Sequence, residues 1–218
     1  MRTARSGRSF ETAATLDPLN PMIWNEIGKV HVMWADQVLA QANSTTTKSI
    51  RDAGKTIADQ ELRLAEEALN KAIAMKPDYA PAHYHLGIIY DRQNKLKDAI
   101  VKLEQVLRAN PKDVGVGFQL AVLYYRDNDK GEKAKSKDLL EQIVAFQPSY
   151  VNARWYLATV YQELGRYDDE LLQLQAIQDQ VGQNQQVADK ISSVKKLRDA
   201  KAKPSTQLLP EPISAKVK

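Results

Sequence analysis

Residues 80–113 read APAHYHLGIIYDRQNKLKDAIVKLEQVLRANPKD, and this stretch decides the fold. Its apolar and ring residues recur at helical spacing, first at His83, Leu86, Gly87 and Tyr90, then at Ala99, Leu103 and Val106. Asn94-Lys95 interrupts the pattern, and Pro111 stops the second run because its ring cannot continue a helix. The spacing predicts two antiparallel helices, with small Gly87 and Ala99 allowing a close approach. Neither helix can bury its stripe alone, so the pair must stack on others of its kind.

Such others exist on both sides. Prolines close four short apolar segments at Pro18, Pro77, Pro111 and Pro148, with spacings of 59, 34 and 37 residues. Ten residues after each comes a small residue: Gly28, Gly87, Ala121, Ala158. Thirteen after comes a ring: His31, Tyr90, Tyr124, Tyr161. A fixed set of offsets in four copies marks a repeat protein.

A period of 34 with small, aromatic and proline positions resembles the tetratricopeptide repeat of bacterial type. The likeness runs through Trp24, Ile27, Gly28, Ala65, Leu69, Ala72 and Pro77 in the first full copy, and through His83 to Pro111 in the second. It continues at Leu120, Ala121, Tyr124, Ser136, Leu140, Ile143 and Pro148, then at Leu157, Ala158, Tyr161, Leu174 and Ile177. The fourth copy departs from it with Glu170 where a small residue belongs. The resemblance implies an all-α fold, a right-handed α-α superhelix of helical hairpins. Its parts are a half repeat at 9–20, an extended repeat at 21–79, and repeats at 80–113, 114–150 and 151–182. A capping helix at 185–203 follows, with its stripe at Val187, Ile191, Val194 and Leu197. Residues 1–8 and 204–218 are expected to be disordered.

By the same resemblance, the first helix of each copy lines a concave side. The inward positions are Met22, Asn25, Lys29, Val32 and Met33 in the first copy and Pro81, Tyr84, Ile88, Asp91 and Arg92 in the second. The third supplies Gly115, Phe118, Val122, Tyr125 and Arg126, and the fourth Asn152, Trp155, Thr159, Gln162 and Glu163. The candidate peptide-binding groove is therefore Tyr84, Ile88, Arg92, Phe118, Val122, Tyr125, Arg126, Trp155 and Thr159. Exposed aromatics rimmed by arginine are what binding hot spots are built from. Members that clamp a carboxylate use lysines and asparagines, of which only Asn25 and Lys29 have counterparts. An apolar extended segment or an amphipathic helix is the expected ligand. Two other uses remain open: the rings pack between repeats, or the Leu208–Ile213 segment fills the groove.

Three departures carry information. The chain opens on a half repeat, Phe10, Ala13 and Leu16-Asp17-Pro18. It is read either as a lone capping helix or as the start of a C-terminal appendage of a larger bacterial protein, membrane-embedded or not. Secondly, the first copy is 25 residues over length between Val32 and Leu62. Trp34, Val38, Ala42, Ile50, Ile57 and Leu62 continue the stripe, so the extra residues predict lengthened helices, with hydroxyls at Asn43–Thr47 capping the returning one. Packing against an upstream body is the expected use of this hairpin. Thirdly, the acidic loop Asp127–Gly131 lacks the closing glutamate of a calcium site and reads as a plain loop.

Composition narrows the function classes. The 218 residues are 43% hydrophobic and 27% charged, with no cysteine, which excludes disulfides, thiolate metal sites and a cysteine nucleophile. No apolar run is long enough to span a membrane, and no apolar stretch follows the basic residues 1–8, so a signal peptide is not expected there. The net charge is +4, yet residues 190–218 alone carry eight basic and two acidic groups. That cluster contains no aromatic for stacking, so nucleic acid is not the expected partner; RNA binding through it would fall steeply with salt. His31 and His83 sit on repeat ring positions and read as core, while His85 lies about 200° around the helix from His83, so the two cannot chelate together. No phosphate cradle or nucleophile elbow is present. Neither catalysis, a cofactor nor a metal is expected, and the sequence reads as a protein-binding scaffold.

Overall fold

The computed structural model describes residues 9–10, 12–127 and 129–202, all of them helix, turn or loop with no strand among them. Helix α1 is seen at residues 9–10 and 12–16. It is followed by α2 (Pro21–Ser44), α3 (Lys48–Met75), α4 (Ala80–Arg92), α5 (Leu96–Ala109), α6 (Val114–Arg126), α7 (Lys130–Phe146), α8 (Val151–Glu163), α9 (Tyr167–Val181) and α10 (Gln185–Ala202). The chain divides into two compact units, 1–147 and 148–218. The predicted disordered segments 1–8 and 204–218 lie outside the described residues, as does Leu208–Ile213. Among the described residues, no helix is long and apolar enough to cross a membrane.

The punctuation of the repeat is physical. The residues before Pro77, Pro111 and Pro148 leave the helical region, with φ of −139° at Lys76, −137° at Asn110 and −129° at Gln147. Each of these still donates its N–H to the carbonyl four residues back, at Ala72, Val106 and Ile143. The next helix is started by Pro21 or Pro81 in its first turn, or by side-chain caps. Asn20 accepts from Met22 N at 3.1 Å and Asp113 from Val116 N at 3.0 Å. Between the helices of a pair the chain turns through a left-handed residue, Asn94 (φ 57°) or Gly165 (φ 68°). Lys95 N then reaches back to Tyr90 O, and Arg166 N to Tyr161 O, closing the helix end.

Within a pair, the small positions sit where the helices touch. A Cβ on Gly28 would lie 2.6 Å from Leu69 Cγ, and one on Gly87 2.7 Å from Leu103 Cδ2. In the third pair Ala121 lends its carbonyl to the buried Ser136 hydroxyl at 2.8 Å. Leucines at 69, 86, 103, 120, 140, 157 and 174 fill the interior and are almost wholly buried. The rings at the thirteenth offset face carboxylates: Tyr90 donates to Glu66, Tyr124 to Glu104, and His31 Nδ1–H to Glu61 at 2.7 Å. His31 is thus half-buried and paired rather than a core residue, whereas His83 is buried as expected.

The long hairpin is formed by α2, of 24 residues, and α3, of 28, against 13 and 14 for the next pair. Its stripe differs from the expected one. Ile50 and Ile57 are 58% and 46% exposed, and the inner face of α3 is Gly54, Ala58, Leu62, Ala65 and Leu69. At Gly54 the arms run so close that a Cβ would sit 2.5 Å from Ala42 Cβ, so only a glycine fits at that approach. The tip also differs: Thr47 makes no side-chain cap. Thr45 Oγ1 accepts from Thr47 N instead, and Arg51 reaches the Thr45 and Thr46 carbonyls. In the acidic loop, Asp129 caps α7 through Gly131 N and Asp127 pairs with Lys97 at 2.6 Å.

In the second unit α10 packs Val187, Ile191 and Val194 against Leu174 and Ile177 of α9, while Leu197, expected in the stripe, is 45% exposed. Glu170, the departure from small-residue pattern, is completely buried, with Lys190 Nζ of α10 at 3.5 Å. Burial pushes its carboxyl above the usual range, and Lys190 opposes that shift. Lys190 also donates to Gln162 Oε1 at 2.7 Å.

Candidate interaction face on α4 and α6

Helical geometry puts Tyr84, Ile88 and Arg92 of α4 at four-residue intervals, hence in one row along one face. Phe118, Val122, Tyr125 and Arg126 form the matching row of α6. Tyr84, Ile88, Phe118, Val122 and Tyr125 are all half-buried, and the two arginines are exposed. Gln119 donates to the Tyr84 hydroxyl at 3.3 Å, joining the two helices directly. Tyr84 also packs on the cluster of Leu103, Val116 and Leu120, so part of its ring serves the inter-repeat core. Tyr84 meets His85 edge-on at 5.4 Å between centroids. His85, half-buried, has its pKa lowered by burial first and by Lys29 second, against the opposing pull of Glu26.

The arginines have a task of their own. Arg92 of α4 pairs with Asp36 of α2 at 2.7 Å, and Arg126 of α6 pairs with Asp91 of α4. Each arginine therefore reaches one repeat back and ties successive first helices in register. Exposed pairs of this kind contribute roughly 0.2–1 kcal/mol each, so they steer geometry more than they stabilise. Asp91 is an inward position of α4, whereas Asp36 lies past Met33 on the part of α2 that exceeds the repeat length, where the repeat spacing assigns no face.

On α2 the inward positions divide. Met22, Lys29 and Met33 are exposed, while Asn25 and Val32 are buried. Asn25 donates to Glu26 at 3.2 Å and its side-chain oxygen is buried without a partner. Trp155 and Thr159 belong to α8 in the second unit. Trp155 is half-buried against Ala158, Leu174 and Val187, and Thr159 bonds its own helix at Trp155 O. Among the described residues no group of histidines and carboxylates is arranged to hold a metal ion.

Stacked helical hairpins with an open face of this kind define the class of helical-repeat proteins, and the comparisons agree. Residues 57–114 match the family model of the tetratricopeptide repeat, so this stretch carries tetratricopeptide-repeat sequence. No curated protein matches it significantly. Among solved structures it is similar to YrrB, described as a TPR protein with an unusual peptide-binding site. The TM-score is 0.67 at 16% identity, covering 90% of this chain and 87% of that one. It is also similar to MamA, with a TM-score of 0.62 at 17% identity over 88% and 91% of the two chains. A third likeness is to PilF of Pseudomonas aeruginosa, with a TM-score of 0.62 at 14% identity over 91% and 81%. At these identities the likeness is one of fold.

Proposed function

We propose that this protein is a non-catalytic scaffold that binds an apolar peptide segment or helix along the first helices of its repeats. The observation that carries the reading is the paired row of half-exposed Tyr84, Ile88, Phe118, Val122 and Tyr125, on two helices locked together by Gln119–Tyr84 and Arg126–Asp91. Partly exposed rings on a rigid support are low-entropy anchors, since few rotamers are frozen on binding. The fold likeness to YrrB, which has a peptide-binding site, supports the same use. Because both arginines are engaged in ion pairs, apolar contact rather than a charge clamp supplies the recognition.

The test is a selection of displayed random peptides on the intact chain, followed by binding of the enriched peptides to Val122→Asp and Phe118→Ala. Apolar peptides whose affinity falls at least tenfold in both variants, with helicity retained, are the expected result. Enriched peptides that bind both variants unchanged would move the site elsewhere.

A further inference from the structure

The long α2–α3 hairpin has two sides. One is turned to α4, where Asp36 of α2 pairs with Arg92 and Glu66 of α3 accepts from Tyr90. The other is turned to α1, whose Ala14 packs with Ile27 and Ala68, near the base of the hairpin. Beyond that base the same side of α3 carries Ile50, Ile57 and Leu64, which are 58%, 46% and 37% exposed. They are seven residues apart, which is two helical turns, so they stand in one row. Ala53 and Gln60 flank that row, exposed and uncharged. The adjoining positions of α2 are Trp34, Val38 and Gln41, again without charge. Glu61, at the inner edge, is paired with His31 at 2.7 Å.

We infer that this face pairs with the same face of a second copy of the chain, two α2–α3 hairpins closing into an antiparallel four-helix bundle. In a two-fold contact each residue near the axis meets its own copy, so a charge there would repel itself. An uncharged row meets that condition. Its even spacing is self-complementary as well: with Ile57 on the axis, Ile50 of each copy faces Leu64 of the other. The charges beside the row select the same register. Asp52 and Arg63 are eleven residues apart, about three turns, and so share one flank of α3. Both are exposed, and neither makes an ion pair among the described residues. They lie five residues before Ile57 and six after it, so Asp52 of each copy comes opposite Arg63 of the other. On α2, Val38 is within a residue of the level of Ile57, since Ala42 stands beside Gly54, and it too meets its own copy. Overlap of residues 48–66 is roughly 27 Å long, and two helices are roughly 20 Å wide. That is about 1,000 Å² over both partners, at the low end of specific interfaces. The chain's own ends match the face poorly. Residues 1–8 hold three arginines and Met1 as their only large apolar side chain. Residues 203–218 hold prolines at 204, 210 and 212, which cannot lie along the hairpin as helix. The contact is on the side of the hairpin away from α4 and does not rest on the function proposed for the α4–α6 face.

Sedimentation equilibrium of the full chain from about 1 μM to about 1 mM tests the pairing. A reversible monomer–dimer equilibrium in the micromolar range is expected. Ile57→Asp, at a position the folded chain leaves half exposed, should weaken it at least tenfold while helicity and melting temperature are kept. Asp52→Arg and Arg63→Asp should each weaken it several-fold, and the double exchange should restore it, as antiparallel pairing about Ile57 requires. Peptides selected on the α4–α6 face should bind Ile57→Asp as they bind the parent, which keeps the two sites distinguishable. A chain that stays monomeric to millimolar concentration, whether its own residues or nothing covers the face, would overturn the pairing. So would a dimer indifferent to Ile57→Asp, or a double exchange that fails to restore association.

Discussion

At the scale of single residues, the repeat is held by positions where size matters more than polarity. Gly87 stands where a Cβ would lie 2.7 Å from Leu103 Cδ2, closer than real contacts allow, and 3.0 Å from Leu103 Cγ, which is tight. Alanine is otherwise the better helix former by about 1 kcal/mol. Overpacking a tight core costs roughly 1–3 kcal/mol, so the clash wins. Gly87→Ala is expected to lower stability by about 1 kcal/mol in denaturant unfolding. Leu103→Ala combined with it should show a favourable coupling, because the smaller side chain removes the obstruction. Ala121 and Ala158 occupy the same offset in later copies, which makes the local second-helix partner, not the motif, the deciding factor.

Glu170 is a second residue whose environment sets its behaviour. Its carboxylate is completely buried and its pKa is raised by burial, against Lys190 at 3.5 Å. A carboxyl with a raised folded-state pKa contributes stability below its unfolded pKa and loses it as pH rises through the folded value. The ionised form therefore weighs against the fold at neutral pH. Glu170→Gln keeps the shape and removes the charge, and should stabilise by about 1 kcal/mol at pH 7. The gap between the two proteins should narrow as the pH is lowered toward 5. Melting temperatures across that range check it, and a variant less stable than the parent at pH 7 would show that the Lys190 pair outweighs desolvation.

At the scale of elements, the α2–α3 hairpin shows what could be read in the sequence and what could not. Helix length was legible, because the proline spacing of 59 leaves 25 residues that no single loop would hold and their apolar residues recur at helical intervals. The packing face was not. Ile50 and Ile57 look like core by hydrophobicity, yet Gly54 and Ala58 face α2 together with the expected Leu62, since near Gly54 the arms approach too closely for larger groups. Hydrophobic size marks a face only when the distance between helices is unknown but ordinary; here a glycine was the better signal. Gly54→Leu is expected to force the distal arms apart, as its Cβ would meet Ala42 Cβ at 2.5 Å. Hydrogen exchange should quicken over residues near the tip, while α4 and α5 keep their protection. Uniform protection along both arms would mean the tip tolerates splaying without local opening.

On the scale of the whole molecule, repeats make stability local. The same offsets that announced four copies left invisible which copies differ in detail: the Arg92–Asp36 brace falls on the extra length of α2, outside the positions that the repeat defines. Each cluster of core residues draws on one pair and its neighbour. Leu69, Leu86 and Ile89 belong to one cluster, Leu103, Leu120 and Tyr124 to the next, and Leu174, Ile177, Ile191 and Val194 to a cluster within the second unit. Damage should then spread by nearest neighbours instead of unfolding everything at once. Val194 of α10 is completely buried, so Val194→Asp places an unpaired charge in that last cluster. A penalty of several kcal/mol is expected there. Exchange should rise first in α10 and α9, then in α8, with α2 to α5 close to their original rates. Equal acceleration in α2 to α5 would instead require the chain to unfold as a single cooperative body, and the independence of its clusters would have to be given up.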